Sequence, residues 1–442
     1  MKKLLFTLFT LIFLVQICMS QNQPAAVGSA EKKAVVDAVA SILQKQYVFP
    51  DTARKMGDLI KKNLKAGKYT RIDDPRAFAL KLTEDLRSLS RDRHLGVRFA
   101  PELIREMKTP DEAIKKAAEK YQKKLDRLDN HGFKEVKILS GNVGYLKFNH
   151  FSAAQEAFRV AVGAMAFLAN CDALIVDLRE NGGGNPEMIQ LLSSYFFSGE
   201  PRHLNSFYHR MDEKTEQFWT LPYVPGSKLA ETDLYVLTSR YTFSGAEEFT
   251  YNLKNMKRAT IIGETSGGGA HPVRMEILND NFAIGVPFAR AVNPISKTNW
   301  EGTGIEPDVK VPAAVALAKA RILALEKLAI REKDERIKAT YQWALDGLQA
   351  ELHPAAITED TLKSYAGDYG SRKITFENGS LFYQRENRAK MKMIPMGEDY
   401  FCFEEVEYFR LKIVKKDGRV TGVEGRYNDG TIDANPRDNS DK

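Results

Sequence analysis

Two turns of the chain decide its fold, because each follows a short apolar run and precedes a segment with helical periodicity. The first turn reads Val176-Asp177-Leu178-Arg179-Glu180-Asn181-Gly182-Gly183-Gly184, and the second reads Tyr241-Thr242-Phe243-Ser244-Gly245-Ala246-Glu247. A strand that leads through such a turn into a helix leaves backbone N–H groups available at the helix N-terminus. The first turn therefore offers donors for an oxyanion, and the second offers a serine hydroxyl. Together they look like half of an acyl-transfer site.

The segments around these turns predict an α/β fold. Residues from about 135 to 311 alternate strand-like and helical patterns, as crossover connections between parallel strands require. Residues 273–278 and 282–286 read as a hairpin within this region. We expect an α/β core at 133–315, preceded by a signal peptide at 1–20 and a helical domain at 21–132 that includes the His94 strand. A helical linker at 316–353 and a small all-β domain with a frayed tail at 354–442 follow it.

Charge and composition exclude several classes of protein. The 442 residues carry a formal net charge of +7, and the basic residues lie among acids at helical spacing, which predicts solvated helix faces and no nucleic-acid partner. Lys2 and Lys3 before an apolar run predict an exported, periplasmic or secreted protein. A lipid anchor through Cys18 is the weaker alternative. We expect no transmembrane segment in the mature chain, and the sequence makes no prediction of oligomeric state.

Ser244 has two interpretations. In the first it caps a helix, because Ser244 and Glu247 fit the S-x-x-E capping box. In the second it is a nucleophile. The glycine turn at 182–184 also has two interpretations, because a tight connection that requires positive φ favours glycine without any role in binding. That turn lacks the residues of a phosphate loop, and no zinc or calcium motif occurs, so we expect neither a cofactor nor a metal.

A nucleophilic serine needs a base, and the chain has seven histidines. His94 is the better candidate, because Leu95, Val97 and Phe99 alternate as in a half-buried strand and place His94 on the opposite face. His271 is the second candidate. Glu301 lies in a turn-rich loop and either orients the base or is an ordinary exposed glutamate.

Taken together these segments resemble peptidase family S41, which includes the tail-specific proteases. They are most similar to the branch with interphotoreceptor retinoid-binding protein and the tricorn protease core. The resemblance runs in chain order through six segments: Asp92-Arg93-His94, Gly144-Tyr145-Leu146, the two turns quoted above, residues 263–269 and residues 300–308. It implies a crotonase- or ClpP-like core, Ser244 as nucleophile, His94 as base and Glu301 as its orienting acid. It also implies an oxyanion hole formed by the N–H groups of Gly183 and Gly245.

The chain departs from the family pattern in two places. Members that use a Ser/Lys dyad carry a lysine where this chain has Gly269, which favours His94 as the base. The PDZ domain of many tail-specific proteases has no counterpart between Phe99 and Val143. The resemblance implies a serine peptidase acting on a peptide or protein substrate. A non-catalytic module that binds an apolar ligand on the same fold is the alternative.

Overall fold

A computed structural model describes residues 25–108 and 112–438. The expected signal peptide therefore lies outside the described residues. The chain forms two units, and each of them is assembled from separate stretches of sequence. The first unit comprises residues up to 120, 206–216 and 269–292, and the second comprises 121–205, 217–268 and 293 onward. No helix in the described ranges is both long enough and apolar enough to cross a membrane.

The described residues contain eleven α-helices. In chain order they are α1 (Ser29–Gln46), α2 (Pro50–Lys65), α3 (Pro75–Ser90), α4 (Pro101–Lys108), α5 (Glu112–Leu128), α6 (Gln155–Phe167), α7 (Pro186–Ser194), α8 (Gly245–Asn255), α9 (Ala313–Arg331), α10 (Glu335–Leu352) and α11 (Glu359–Tyr365).

Twenty strands accompany these helices in the same ranges. The first twelve are β1 (Gly96–Phe99), β2 (Phe133–Leu139), β3 (Val143–Phe148), β4 (Ala173–Asp177), β5 (His203–His209), β6 (Lys214–Trp219), β7 (Asp233–Thr238), β8 (Ala259–Gly263), β9 (Val273–Ile277), β10 (Phe282–Pro287), β11 (Ala289–Val292) and β12 (Val309–Lys310). The other eight are β13 (Gly367–Tyr369), β14 (Arg372–Glu377), β15 (Ser380–Arg385), β16 (Met391–Gly397), β17 (Tyr400–Phe403), β18 (Phe409–Lys416), β19 (Arg419–Tyr427) and β20 (Ile432–Pro436).

The first unit packs α1, α2 and α3 against a three-stranded antiparallel sheet ordered β1-β10-β9. In the sequence, Asp74 followed by Pro75 predicts a helix start, and Asp74 does cap α3 by accepting a hydrogen bond from the backbone N–H of Ala77 at 2.7 Å. The spacing of Phe78, Leu82, Leu86 and Leu89 predicts one apolar stripe, which is buried as far as Leu86, but Leu89 in the last turn is 45% exposed. The predicted hairpin is confirmed as the antiparallel pair β9 and β10.

The second unit contains a six-stranded sheet ordered β12-β8-β7-β4-β3-β2, in which only β2 is antiparallel to its neighbour. Helices α6, α7 and α8 cover one face, and α9 and α10 cover the other. Successive residues of β4 therefore enter different cores, with Val176 on the first face and Ile175 on the second. A parallel sheet buried on both faces is the predicted α/β core.

The region between the core and the last sheet differs from the sequence prediction in one detail. The sequence of residues 312–352 has few helix breakers and predicts a long helical stretch, but the chain breaks between α9 and α10. Asp334 causes the break, because its carboxylate accepts hydrogen bonds from the N–H groups of Arg336 and Ile337 and begins a new helix.

The C-terminal sheet is antiparallel throughout and follows sequence order from β13 to β20. Beyond β20, the N–H of Asp438 donates to the carbonyl of Asp368 on β13 at 2.9 Å, which joins the last part of the chain to the first strand. Aromatic and aliphatic side chains form the hydrophobic core of this C-terminal sheet. The predicted β character is confirmed for the sheet, although helix α11 precedes it within the segment expected to be all-β. The domain bounds 21–132, 133–315, 316–353 and 354–442 stay predictions.

Candidate active site

Ser244 lies between the end of β7 and the first residue of α8. Its backbone has φ 54° and ψ −121°, a conformation that residues with a side chain rarely adopt. The turn before it is held by Thr242, whose N–H donates to the Ser239 carbonyl and whose hydroxyl donates to the Leu178 carbonyl at 2.7 Å. A strained residue of this kind costs on the order of 1–3 kcal/mol and is typical of functional sites.

Glu247, one turn into α8, holds the backbone of Ser244 in place. Its Oε2 accepts a hydrogen bond from the Ser244 N–H at 2.9 Å, which is the reciprocal half of the predicted capping box. Its Oε1 accepts from the hydroxyl of Ser266 at 2.5 Å and from the N–H of Gly268 at 2.7 Å. The bond between Glu247 and Ser244 uses the backbone N–H of Ser244 and not its hydroxyl. The capping and nucleophile interpretations of Ser244 are therefore compatible.

The predicted glycine turn lies directly against Ser244 within the second unit. A Cβ atom added at Gly183 would lie 2.5 Å from the nitrogen of Gly245 and 2.8 Å from the Cβ of Ser244. A Cβ atom added at Gly245 would lie 2.9 Å from the nitrogen of Gly184. Only glycine permits this approach of the two backbones, and the φ of 100° at Gly183 adds a second reason.

The two proposed oxyanion donors differ in their hydrogen bonding. The N–H of Gly183 donates to the side-chain oxygen of Asn181 at 2.8 Å, so this donor is engaged in the present conformation. The N–H of Gly245, at the first position of α8, has no acceptor within residues 25–108 and 112–438. Gly245 is therefore the donor that is ready to bind an anion at the helix N-terminus.

A buried ion pair lies at the end of β4, just before the glycine turn. Asp177 ends β4, and the guanidinium of Arg179 contacts both of its carboxylate oxygens, at 2.9 and 2.5 Å. The hydroxyl of Tyr145 also donates to Asp177 at 2.7 Å. Burial alone would raise the pKa of Asp177, but these hydrogen bonds lower it below its ordinary value of 3.8. Asp177 thus stays ionised and keeps the turn fixed.

The loop that carries Glu301 is connected to the serine turn through Ser266 and Gly268. The hydroxyl of Ser266 accepts a hydrogen bond from the N–H of Ile305 at 2.7 Å, and the N–H of Gly302 donates to the Gly268 carbonyl at 3.0 Å. Glu301 itself is partly exposed. Because Glu247 binds Ser266 and Gly268, one hydrogen-bond network joins the Ser244 backbone to the Glu301 loop.

His94 belongs to the first unit and lies in a bend before β1. The prediction that it stands on the strand is wrong by two residues, because β1 begins at Gly96. Arg87 holds this bend by donating to the carbonyls of Arg93 and Leu95, each at 2.7 Å. Burial lowers the pKa of His94 below 6.5, while the negative charge of Asp92 opposes that shift.

Two groups near these residues were not assigned a role from the sequence. Asp92 is fully buried and binds His271, whose place in the sequence is 179 positions away. Ser266 joins the serine turn to the Glu301 loop. Neither the contact of Asp92 with His271 nor the contacts of Ser266 could be predicted from a periodic pattern or a motif spacing in the sequence. Lys254 lies on the helix that follows Ser244, but its ammonium group donates to the Glu306 carbonyl and pairs with Asp308 at 2.9 Å, so this lysine is poorly placed as a base.

Comparison with known families and proteins gives consistent matches. The model of peptidase family S41 matches residues 142–311, and the model of the N-terminal domain of peptidase S41 in eukaryotic IRBP matches residues 26–131. Carboxyl-terminal-processing peptidase 2, chloroplastic, of Arabidopsis thaliana is 28% identical over 183 residues, which are 39% of this chain and 32% of that protein. The tail-specific protease of Haemophilus influenzae is 27% identical over 158 residues, which are 33% of this chain and 21% of that protein.

The chain therefore aligns with less than two thirds of the length of both curated relatives. Among solved structures, the photosystem II D1 C-terminal processing protease has a TM-score of 0.42 and 15% identity, and the match covers 65% of this chain and 95% of that chain.

Proposed function

Residues 26–131 and 142–311 belong to peptidase family S41, and on this basis we propose that the chain is an exported serine peptidase with Ser244 as its nucleophile. The observation that carries the proposal is the strained backbone of Ser244 packed against Gly183, with the Gly245 N–H available beside it. This arrangement combines a hydroxyl and an oxyanion donor within two consecutive residues.

The reaction follows from the groups present. The Oγ of Ser244 attacks the carbonyl carbon of a peptide bond while His94 accepts the hydroxyl proton. The imidazolium so formed is stabilised by the carboxylate of Glu301, and His94 returns the proton to the leaving amine. Water then hydrolyses the acyl-enzyme with the same base. Because His94 has a lowered pKa, it is neutral and able to accept a proton at pH 7.

The tetrahedral intermediate carries its negative charge on the former carbonyl oxygen. The Gly245 N–H donates to this oxygen first, and Gly183 becomes the second donor when its N–H leaves the Asn181 side chain. Loss of one such donor typically slows the reaction about 10²- to 10³-fold. The substrate class is a peptide or protein, and export by the segment at 1–20 places the enzyme in the periplasm or outside the cell.

The test is covalent labelling with a fluorophosphonate probe together with cleavage of a mixed peptide library, both on the chain from residue 21. We expect labelling and cleavage in the wild type and neither in Ser244→Ala. The matched control is Ser364→Ala, because Ser364 is an exposed serine outside the site. Labelling that persists in Ser244→Ala would exclude Ser244 as the nucleophile. A folded wild type that neither labels nor cleaves would favour the non-catalytic binding module.

A further inference from the structure

The turn that carries His94 contains a buried carboxylate with three hydrogen-bond partners. The Oδ1 of Asp92 accepts from the backbone N–H of His94 at 3.0 Å. Its Oδ2 lies 2.8 Å from the Nδ1 of His271 and 3.4 Å from the hydroxyl of Tyr47. Asp92 is 0% exposed and His271 is 3% exposed. One carboxylate therefore binds the backbone of His94 and the ring of a second histidine.

The contact with Asp92 involves one particular nitrogen of the His271 ring, Nδ1. A carboxylate only accepts hydrogen bonds when it is ionised, so in that state the Nδ1–H of His271 is the donor in this contact. The edge of the same ring packs against Phe49, with 5.4 Å between the ring centres. Burial, the aromatic contact and the carboxylate each restrain the orientation of the His271 ring.

The Asp92–His271 pair connects two turns whose following strands, β1 and β9, are not neighbours in the sheet. His271 precedes β9 and His94 precedes β1, and β10 lies between these two strands in the sheet. Gly285 of β10 passes close to the His94 turn, since a Cβ atom added there would lie 3.3 Å from the His94 carbonyl oxygen. The bond between Asp92 and His271 thus links the turn before β1 to the turn before β9.

A buried polar pair is weak evidence for stability, because replacing buried ion pairs with packed apolar residues is often neutral or stabilising. A use of the geometry of this pair is therefore the hypothesis to test. Its direct partner here is the backbone of the proposed general base. A base acts only when its ring is within hydrogen-bond reach of the proton it accepts.

We propose that Asp92 and His271 are positioning residues that hold His94 in its reactive place; this inference rests on the function proposed above. Asp92 links the His271 ring to the His94 backbone, and His271 restrains the carboxylate. Neither residue exchanges a proton with the substrate.

The test compares turnover in four variants of the chain from residue 21. Asp92→Asn keeps the size of the side chain but replaces an acceptor with a donor. His271→Leu removes the ring donor, whereas His271→Asn keeps a donor close to the position of Nδ1. His131→Asn is the matched control, because His131 is a buried histidine of the second unit. We expect kcat to fall about tenfold or more in Asp92→Asn and His271→Leu, with KM changed less than about threefold.

The conservative variants separate positioning from general support of the fold. His271→Asn and His131→Asn should stay within about threefold of the wild-type kcat. If Asp92→Asn turns over substrate like the wild type, or if His271→Asn loses as much activity as His271→Leu, the proposal is overturned. In either case the serine mechanism stands as long as Ser244→Ala is inactive.

A second readout does not need activity. In protein labelled with ¹⁵N-histidine, NMR should show a downfield Nδ1–H resonance of His271 in the wild type and in Ser244→Ala. In Asp92→Asn this resonance should disappear and the ring signals of His94 should shift. Unchanged His94 signals in Asp92→Asn would overturn the proposal even if the wild type proved to have no peptidase activity.

Discussion

The carboxylate of Glu247 binds the backbone N–H of Ser244 at 2.9 Å, and through this bond the first turn of α8 determines the conformation of the proposed nucleophile. The other carboxylate oxygen binds Ser266 and Gly268, so the same side chain also fixes the neighbouring loop. A fully buried carboxylate that accepts three hydrogen bonds in this way is strongly committed to one geometry.

Glu247→Gln should lower both activity and stability. The glutamine amide presents donors where Ser266 and Gly268 also present donors, so one or more buried groups lose their partners. We expect a loss of about 1–3 kcal/mol in the free energy of unfolding. Fluorophosphonate labelling should slow as well, because the Ser244 turn relaxes. Urea unfolding and labelling rates measure the two effects. Unchanged labelling would show that the Glu247 bonds do not hold the nucleophile.

The neighbouring residue supplies a pH-dependent prediction. Burial raises the pKa of Glu248 from 4.5 to about 7. The folded protein therefore binds this proton more tightly than the unfolded chain, and its contribution to stability is present below pH 4.5 and lost as the pH rises to about 7. The shift corresponds to about 3 kcal/mol. Glu248→Gln should remove this loss of stability at higher pH, because glutamine does not titrate.

The measurement for Glu248 is the difference in urea midpoint between Glu248→Gln and the wild type at pH 5, 6, 7 and 8. We expect the variant to gain stability relative to the wild type as the pH rises. A difference that stays constant over this range would mean that Glu248 does not titrate in it. Labelling of the variant by the probe should remain, because Glu248 has no bond to the Ser244 side chain or to the Ser266 loop.

Gly183→Ala should destroy the site, whereas Gly182→Ala should be tolerated. The new methyl group at 183 meets the backbone of Gly245 at 2.5 Å and requires a strained φ. At Gly182 no atom lies within 4 Å of the corresponding position. We expect Gly183→Ala to abolish labelling and Gly182→Ala to keep it. Equal behaviour of the two variants would contradict the close packing of the two turns.

The proposed peptidase activity should persist in mildly acidic solution. Because burial lowers the pKa of His94 below 6.5, the acid limb of kcat/KM should have its midpoint below that value. Asp92→Asn removes a negative charge that opposes the shift, so the midpoint should move further toward acid. A kcat/KM profile between pH 4 and 8 tests both statements. A midpoint above 6.5 would assign the limb to a group other than His94.

Sequence patterns were sufficient to predict the elements that depend on local signals. The Asp74 cap, the hairpin of β9 and β10 and the doubly covered parallel sheet all follow from residues that are close in sequence. The juxtaposition of the turns at Gly183 and Ser244 was predictable as well. Parallel strands place their C-terminal ends at one edge of a sheet, and both turns follow such ends.

Contacts between distant residues were not predictable in the same way. The bond between Asp92 and His271 joins positions 179 apart, and neither residue lies in a repeating pattern. The place of His94 before β1 depends on Arg91, whose positive φ ends α3 and turns the chain. Such an αL residue is not apparent in the sequence when it is an arginine rather than a glycine.

The pairing of β1 with β10 has a consequence for the biosynthesis of the protein. Gly96 pairs with Gly285, so this sheet can assemble only after the ribosome has passed the second strand. Most of the nucleophile-bearing sheet is translated in the interval, and the contact between β1 and β10 closes a very long loop, which makes it a late and slow event in folding. The turn that carries the proposed base therefore acquires its neighbours in this sheet only after residue 285 has been made. A nascent chain that ends before this residue lacks the assembled surroundings of His94, so the proposed peptidase activity should begin only beyond this point of synthesis.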